Sequence, residues 1–374
     1  MKKISLISLF QAILLFFAWN ANAQEDEFRK GVYYFEEKDY ARAISFLDDA
    51  IYLDPANTEA KYYAGICYLQ LKSPARALQL LESVEKSGKI ENKPMFFYWI
   101  GLAAYYDQQF FRAQEYLARF NDKVSENFDR QELAWIKKRI ETATTLYENP
   151  NGFYVENLGN VINTEGPEYN SLTGKDLNTI FFTQRKHSEN KEIKKDKLNY
   201  YAYENILFAQ KKKDGTWAAP QLLSREFIEE NSHEATVQLF DNDQKLMLFH
   251  RNDLYITELV DGKWRKPYKM DKTVNTIAKE AHGFITEDGK VLFLATNAYS
   301  KMGDLDLMML LSDGNGGWGE PQPINMLNTD QDEESPFLAA DGYFYFCSRG
   351  HNSIGGYDIF RSKFNPRNRS FTKP

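Results

Sequence analysis

From residue 25 to about 150 apolar residues recur at three- and four-residue intervals. Beyond residue 151 they alternate with polar residues in short runs bounded by glycine and aspartate. The first spacing lines one face of a helix and the second one face of a strand, so the chain predicts a helical segment followed by a sheet segment. At 374 residues it also exceeds what one ordinary core fills, which fits two domains. A third pattern precedes both. Lys2 and Lys3, the apolar run LISLFQAILLFFAW and the small-residue site Ala21-Asn22-Ala23 follow the order of a cleavable export signal. The expected organisation is a signal peptide at 1–23, helical repeats at 24–150 and a β domain at 151–374. Export predicts a periplasmic location, and no later apolar run is long enough for a membrane span.

The helical part repeats every 34 to 36 residues. Gly31, Tyr34, Ala43, Leu47 and Ala50 recur as Gly65, Tyr68, Ala77, Leu81 and Val84, then as Gly101, Ala113, Leu117 and Phe120. Small residues at such positions allow two helices to approach, and the large ones fill the adjoining gaps. Pro55 separates repeats, with Asn57 or Thr58 placed to cap the next helix. Residues 129–148 read as an amphipathic helix that covers the last apolar face. This joint pattern resembles the tetratricopeptide repeat family, which implies an α-solenoid with a peptide-binding groove. Carried onto this chain, the groove positions are Phe28, Phe35, Tyr62, Tyr98, Tyr105 and Tyr106. The family's lysine and asparagine clamp for a terminal carboxylate is not at these positions, so an aromatic groove of this kind suits an extended segment or an apolar helix. The same aromatics would serve equally as core, and both readings stay open.

Four units of about fifty residues follow. Each starts near an acidic residue (Glu168, Glu234, Glu280, Glu334), continues through a turn such as Asp288-Gly289 or Asp341-Gly342, and enters an aromatic-rich strand. Asp253, Asp306 and Asp358 then occupy one place in successive units, where side-chain to backbone bonds are expected to fix the turn into a third strand. The glutamates are expected to accept bonds from backbone amides of a neighbouring blade. An aromatic and a proline close each unit, from Trp217 and Pro220 to Phe371 and Pro374. DGYFYFCSRGHNSIGGYDIFRSK resembles the WD40-like repeat of β-propellers in exported bacterial proteins, so the fold class is a helical solenoid followed by a β-propeller of four visible blades. If four blades close the ring, residues 153–160 are placed to pair beside the last strands.

The order of the two modules resembles PorE-type subunits of type IX secretion and gliding machinery. That resemblance implies a non-enzymatic periplasmic scaffold at the inner side of the outer membrane, holding other envelope proteins, among them an outer-membrane β-barrel. Those relatives continue into an OmpA-like domain that grips peptidoglycan. Here the sequence ends flush with the fourth unit and shows no such domain, which favours a fragment over a shortened relative.

Composition narrows the chemistry. The net charge of −7 argues against nucleic acid as a partner. Cys67 and Cys347 are the two cysteines, each expected as a small buried apolar residue in its own domain. His187, His233, His250, His282 and His351 match no zinc spacing, and the Asp positions some fifty residues apart make a poor metal site. Two Ser-x-x-Lys strings lack companion motifs, and a Gly-x-Ser-x-Gly elbow and phosphate-cradling loops are absent from the sequence. Catalytic residues, metal and cofactor are therefore all expected to be none. Glu234, Glu280, Glu334, Asp253, Asp306 and Asp358 are assigned structural roles in the repeat, because equivalent positions offer like environments whereas glycosidase acids need unlike ones. Two alternatives remain open: a carbohydrate-active or metal-dependent propeller enzyme using the glutamates, and a binder of peptidoglycan. The basic loop at 186–197 is expected to be solvated.

Overall fold

The computed structural model describes residues 25–90, 93–120, 128–150, 152, 154–164, 166–187, 201–224 and 233–374. Residues 1–23, expected to be an export signal, and residues 188–197 of the basic loop lie outside the described residues. The chain divides into two compact units at positions 151/152, and each is taken by itself.

The first unit holds α1 (25–36), α2 (Tyr40–Leu53), α3 (Thr58–Gln70), α4 (Pro74–Lys86), α5 (Phe96–Tyr106), α6 (Phe110–Arg119) and α7 (Arg130–Glu148). The repeat expected from sequence is a packing rule here. A Cβ on Gly31 would lie 2.6 Å from Leu47 Cγ, one on Gly65 2.8 Å from Leu81 Cγ, and one on Gly101 2.7 Å from Leu117 Cδ2. Each odd helix thus meets its partner at a glycine into which the partner's leucine is pressed, a distance that no larger residue accommodates. The three helix pairs turn through Lys38, Lys72 and Gln108, all left-handed with φ near +60°. After each, an amide bonds back to a carbonyl of the last helical turn, as Ser73 N does to Tyr68 O at 2.9 Å, satisfying groups a helix end leaves open. Asn57 caps α3 through Ala60 N (2.9 Å), Pro74 opens α4, and Asp129 caps α7 through Gln131 N and Glu132 N.

The second unit is four antiparallel sheets in a four-blade propeller arrangement. The first comprises β1 (Glu168–Thr173), β2 (Thr179–His187), β3 (Tyr201–Gln210) and β4 (Gln221–Leu222). The second comprises β5 (Glu234–Phe240), β6 (Lys245–His250), β7 (Asp253–Val260) and β8 (Lys263–Trp264), with β9 (Tyr268–Lys269) also on β7. The third comprises β10 (Glu280–Ile285), β11 (Val291–Thr296), β12 (Asp306–Leu311) and β13 (Gln322–Pro323), and the fourth β14 (Glu333–Leu338), β15 (Tyr343–Ser348), β16 (Asp358–Asn365) and β17 (Ser370–Phe371). In each sheet the strands follow in chain order, the meander that tight hairpins dictate. The expected turns hold Gly289 and Gly342 at positive φ.

Successive sheets bury their faces on one another: β5 lies on β1, β2 and β3, β10 on β5, β6 and β7, and β14 on β10, β11 and β12. Phe181 and Ile206 of the first sheet pack with Leu246 and Leu248 of the second. Met247 and Leu254 of the second pack with Leu292, Leu294 and Met308 of the third, and Phe293 and Leu307 of the third with Phe344, Phe346 and Phe364 of the fourth. Packing of this extent does not recur between the fourth and first sheets among the described residues. The segment at 154–160 forms no strand there, against the pairing expected of it. A little further on, Ile162 instead enters the core of the first sheet with Ile180, Phe182, Leu207 and Ala209.

Candidate functional site

On the helical unit the six groove positions divide. Phe28 and Phe35 are half-buried and converge on Tyr63, Phe35 at 5.0 Å between ring centroids. Tyr62 stacks near Phe96 at 6.4 Å under the Lys93 ammonium at 5.4 Å, and burial raises its phenol pKa. Tyr106 is exposed, with Lys72 over its ring. Tyr98 and Tyr105 are 4% exposed. Tyr98 sits among Trp99, Phe120 and Phe128 and donates to Glu132 Oε1 at 3.2 Å, so these two tyrosines are core and present no groove surface. The reason is that α5, FFYWIGLAAYY, is apolar nearly all round and is enclosed on several sides, a situation in which periodicity marks no outer face.

In the propeller unit, registration exposes a row that crosses the first three strands of every sheet. Glu168 pairs Gln184, which pairs Asn205. The next rows are Glu234, His250 and Asp253, then Glu280, Thr296 and Asp306, then Glu333, Ser348 and Asp358. The fourth glutamate of the repeat is thus Glu333, not the expected Glu334. The chemistry agrees. Glu280 accepts from Thr276 N (3.1 Å), Thr276 Oγ1 (2.7 Å) and Thr296 Oγ1 (3.1 Å). Glu333 accepts from Thr329 N and Oγ1, both at 2.7 Å, and from Ser348 Oγ at 2.6 Å. Glu168 is likewise held by Thr164 and Gln184. The donors lie in the connection just before the same strand and in the adjacent strand, rather than in a neighbouring blade. A threonine four residues ahead closes each clamp because an Asx-like turn there aims both its amide and its hydroxyl at the carboxylate. Glu280 and Glu333 are completely buried, and burial pushes the Glu333 pKa up while these bonds pull it down.

The three aspartates share a place without sharing a partner. Asp358 takes the Ile354 amide, as expected. Asp253 instead pairs with Lys269 Nζ at 2.7 Å. Asp306 is held above the usual carboxylate range by burial and by Asp304.

Glu334, released from the repeat role, occupies a position filled elsewhere by Tyr169, Ala235 and Ala281. Its Oε2 lies 3.8 Å from Nδ1 of His282, whose Nε2 is 3.4 Å from the Asn170 amide. Asn170, His282 and Glu334 belong to the inner strands of the first, third and fourth sheets, each of which carries a bulge at this level. The sequence reading missed the pair because nothing local links residues so far apart. The signal it held was a departure from the repeat: a histidine and a glutamate at positions where other units have small or neutral side chains. Burial, with help from Lys279, lowers the His282 pKa to about 4. Burial raises that of Glu334, beside Tyr357. At neutral pH the imidazole is therefore neutral, and its buried Nδ1 has no hydrogen-bond partner among the described residues. Glu234 faces His250 at 3.5 Å, and His233 and Arg185 both face Glu204. No group of three or more His, Cys, Asp or Glu suited to a metal occurs among the described residues.

The tetratricopeptide repeat family matches residues 34–89. No curated protein matches the chain. Among solved structures, a puromycin-hydrolyzing peptidase from Mycobacterium tuberculosis is 8% identical with a TM-score of 0.35, over 56% of this chain and 31% of that one. A prolyl endopeptidase is 11% identical with a TM-score of 0.33, over 54% of this chain and 25% of that one. A GH43 endo-arabinanase from Bacillus licheniformis is 11% identical with a TM-score of 0.33, over 59% and 82%. The chain spans about a third or less of the two peptidases, and likeness at this level carries no functional argument. Tetratricopeptide repeats and propellers generally mediate protein–protein interaction.

Proposed function

We propose that the protein is a non-enzymatic scaffold of a cell-envelope complex. In this reading it is exported to the periplasm and rests at the inner side of the outer membrane through its partners, in the manner of type IX secretion or gliding assemblies. The observation that carries the non-catalytic part is the shared role of the blade glutamates. Glu168, Glu280 and Glu333 have their oxygens taken up by threonine, serine or glutamine donors. Carboxylates held alike are fasteners, whereas a hydrolase separates the pKa values of its two acids. The basic start, apolar run and small-residue site at residues 1–23 support the location. Exposed aromatics on the helical unit, Tyr52, Tyr106, Phe111 and Tyr147 among them, supply rigid contact area suited to protein partners.

In-cell crosslinking of the exported protein tests this: an outer-membrane β-barrel protein among the products supports it, and recovery of cytoplasmic proteins alone overturns it. One observation favours a second reading, hydrolysis at the propeller axis: the His282 and Glu334 pair combines a neutral base with a raised acid. Glycan-hydrolysing activity lost in Glu334→Gln with folding intact would establish that reading in place of the scaffold. A peptidoglycan sedimentation assay separates both from wall binding.

A further inference from the structure

The pairing of β2 with β3 ends on Thr179 opposite Gln210, with Phe181 opposite Phe208 two residues further in. Counted from the row, the same places in the second sheet hold Lys245 opposite Glu258 and Met247 opposite Ile256. In the third they hold Val291 opposite Leu311 and Phe293 opposite Met309. The second sheet closes this end with charge, because Lys245 reaches Glu258 at 3.5 Å and Asp241 at 3.4 Å. The third closes it with apolar volume, Val291 packing into the core shared with the fourth sheet. Of the three, the first sheet puts a short hydroxyl and an uncharged amide there. A cleft of about 510 Å³ opens at that point between the first and second sheets, within the roughly 300–1,000 Å³ usual for small-molecule sites.

The walls of the cleft are aromatic and its rim is polar. Phe181 stands between two other lining rings, Trp264 perpendicular to it at 6.0 Å between centroids and Phe208 at 6.2 Å. Thr179, Gln210, Gln244, Asp176, Asp243 and Lys263 supply the polar lining. The rim is fastened across the two sheets: Asp243 Oδ2 accepts Lys175 N at 2.7 Å, and Lys175 Nζ donates to Asn242 Oδ1 at 2.8 Å. The β5–β6 turn departs from its counterparts. Asp241, Asn242 and Asp243 are all left-handed, with φ of 52°, 54° and 66°, where the matching turns of the third and fourth sheets use one such glycine each, Gly289 and Gly342. Three successive side chains in that region cost local stability. The same turn carries the Asp243 fastening and sets Gln244 at the cleft.

The charges of the rim largely offset one another. Asp243 and Asp176 each keep an oxygen on a backbone amide, of Lys175 and Asn178, and the Lys263 ammonium shares the lining. Neither an anion nor a cation therefore meets a strong net field, and the recognition left is ring faces beneath neutral donors and acceptors. The electron-rich face of an aromatic ring suits C–H groups, while a carboxamide offers a donor and an acceptor side by side. A sugar ring is the complement, with C–H groups on its faces and hydroxyls at its edge. We propose that the cleft between the first and second sheets binds a neutral saccharide, with Trp264 and Phe208 against a C–H face of the ring and Thr179, Gln210 and Gln244 on its hydroxyls. The site lies five residues along the strands from the row of Gln184 and Asn205, away from the level of His282 and Glu334. It is independent of the scaffold reading, so the failure of either leaves the other standing.

The test titrates the whole chain, followed by saturation-transfer NMR, with glucose, galactose, mannose, N-acetylglucosamine and their β-linked disaccharides, using choline as the cation probe and acetate as the anion probe. At least one saccharide should bind saturably with a Kd on the order of 1 mM or tighter. Gln210 is exposed, so Gln210→Ala should keep the fold and weaken that saccharide by about three- to tenfold, the loss of one hydrogen bond. Thr179→Lys joined to Gln210→Glu gives the first sheet the pair that the second sheet carries, and should abolish saturable binding while Tm holds or rises. No saturable binding of any saccharide at concentrations of about 50 mM overturns the proposal, as does saccharide binding that both variants leave unchanged. Choline or acetate binding that is tighter than that of every saccharide, and sensitive to the same substitutions, also overturns it by giving the cleft to an ion.

Discussion

Gly65 and Leu81 touch so closely that a single added carbon on the glycine would fall 2.8 Å from Leu81 Cγ. Leu81 is fully buried, so it has no room to withdraw. Gly65→Ala gains about 1 kcal/mol of helix propensity but meets an overpacking cost of about 1–3 kcal/mol. The expected net result is a less stable helical unit. The decisive measurement is a double-mutant cycle by denaturant unfolding. In the Leu81→Ala background the space opens, and Gly65→Ala should become neutral or stabilising. A penalty that persists there would refute the steric account.

The corrected register separates two neighbouring glutamates. Glu333→Ala strips a buried site of its acceptor and leaves the Thr329 amide and two hydroxyls unpaired, for an expected loss of about 2–4 kcal/mol. Glu334→Ala removes a group whose charged form burial disfavours, and at neutral pH stability should hold or rise. Thermal unfolding of the two variants side by side checks the assignment, and the reverse order of effects would restore Glu334 to the repeat.

That exchange shows what could and could not be read beforehand. The helix pairs were legible because Gly31, Gly65 and Gly101 mark close approach, and the sheets because Asp-Gly turns punctuate alternating runs. The turns at Lys38, Lys72 and Gln108 carry no glycine, so their left-handed backbone left no mark. Glu333 and Glu334 are adjacent, and a bulge shifts the strand at that point, so counting from the next turn selects the wrong one. The recurrence Thr164 to Glu168, Thr276 to Glu280 and Thr329 to Glu333 would have selected correctly. The His282 and Glu334 pair depends on how inner strands of different sheets converge, which no local pattern encodes. For α5 an apolar surface on every side concealed that Tyr98 and Tyr105 point inward.

Convergence at the axis has a pH signature. His282 has a native pKa of about 4 against an ordinary 6.5. Below pH 6.5 the unfolded chain therefore binds a proton that the native state refuses. The stability His282 contributes is complete above that value and is lost as pH falls toward about 4, with a slope of at most about 1.4 kcal/mol per pH unit. Glu334 acts in the opposite sense: its pKa is raised, so its contribution is full at low pH and declines as pH rises. The slope between pH 4.5 and 6.5 should accordingly flatten or reverse in His282→Asn, leaving the Glu334 effect. An imidazole NMR signal already titrating near pH 6.5 in the native protein would contradict the burial.

The two cysteines should report separately on the two units. Cys67 is fully buried in the helical core among Leu47, Ala64 and Leu80, and burial pushes its thiol pKa up to about 12. Only the thiolate reacts with a disulfide reagent, so at pH 8 both access and ionisation hold Cys67 back until the unit opens. Cys347 is half-buried in β15 of the fourth sheet. Its pKa is also raised, first by burial and then by Glu334, which slows it without hiding it. Native protein treated with such a reagent should release one equivalent at a measurable rate from Cys347, and the second only when denaturant opens the helical unit. Cys347→Ser should remove the early phase alone. Reaction of both thiols together at the rate of global unfolding would contradict the partial exposure of Cys347.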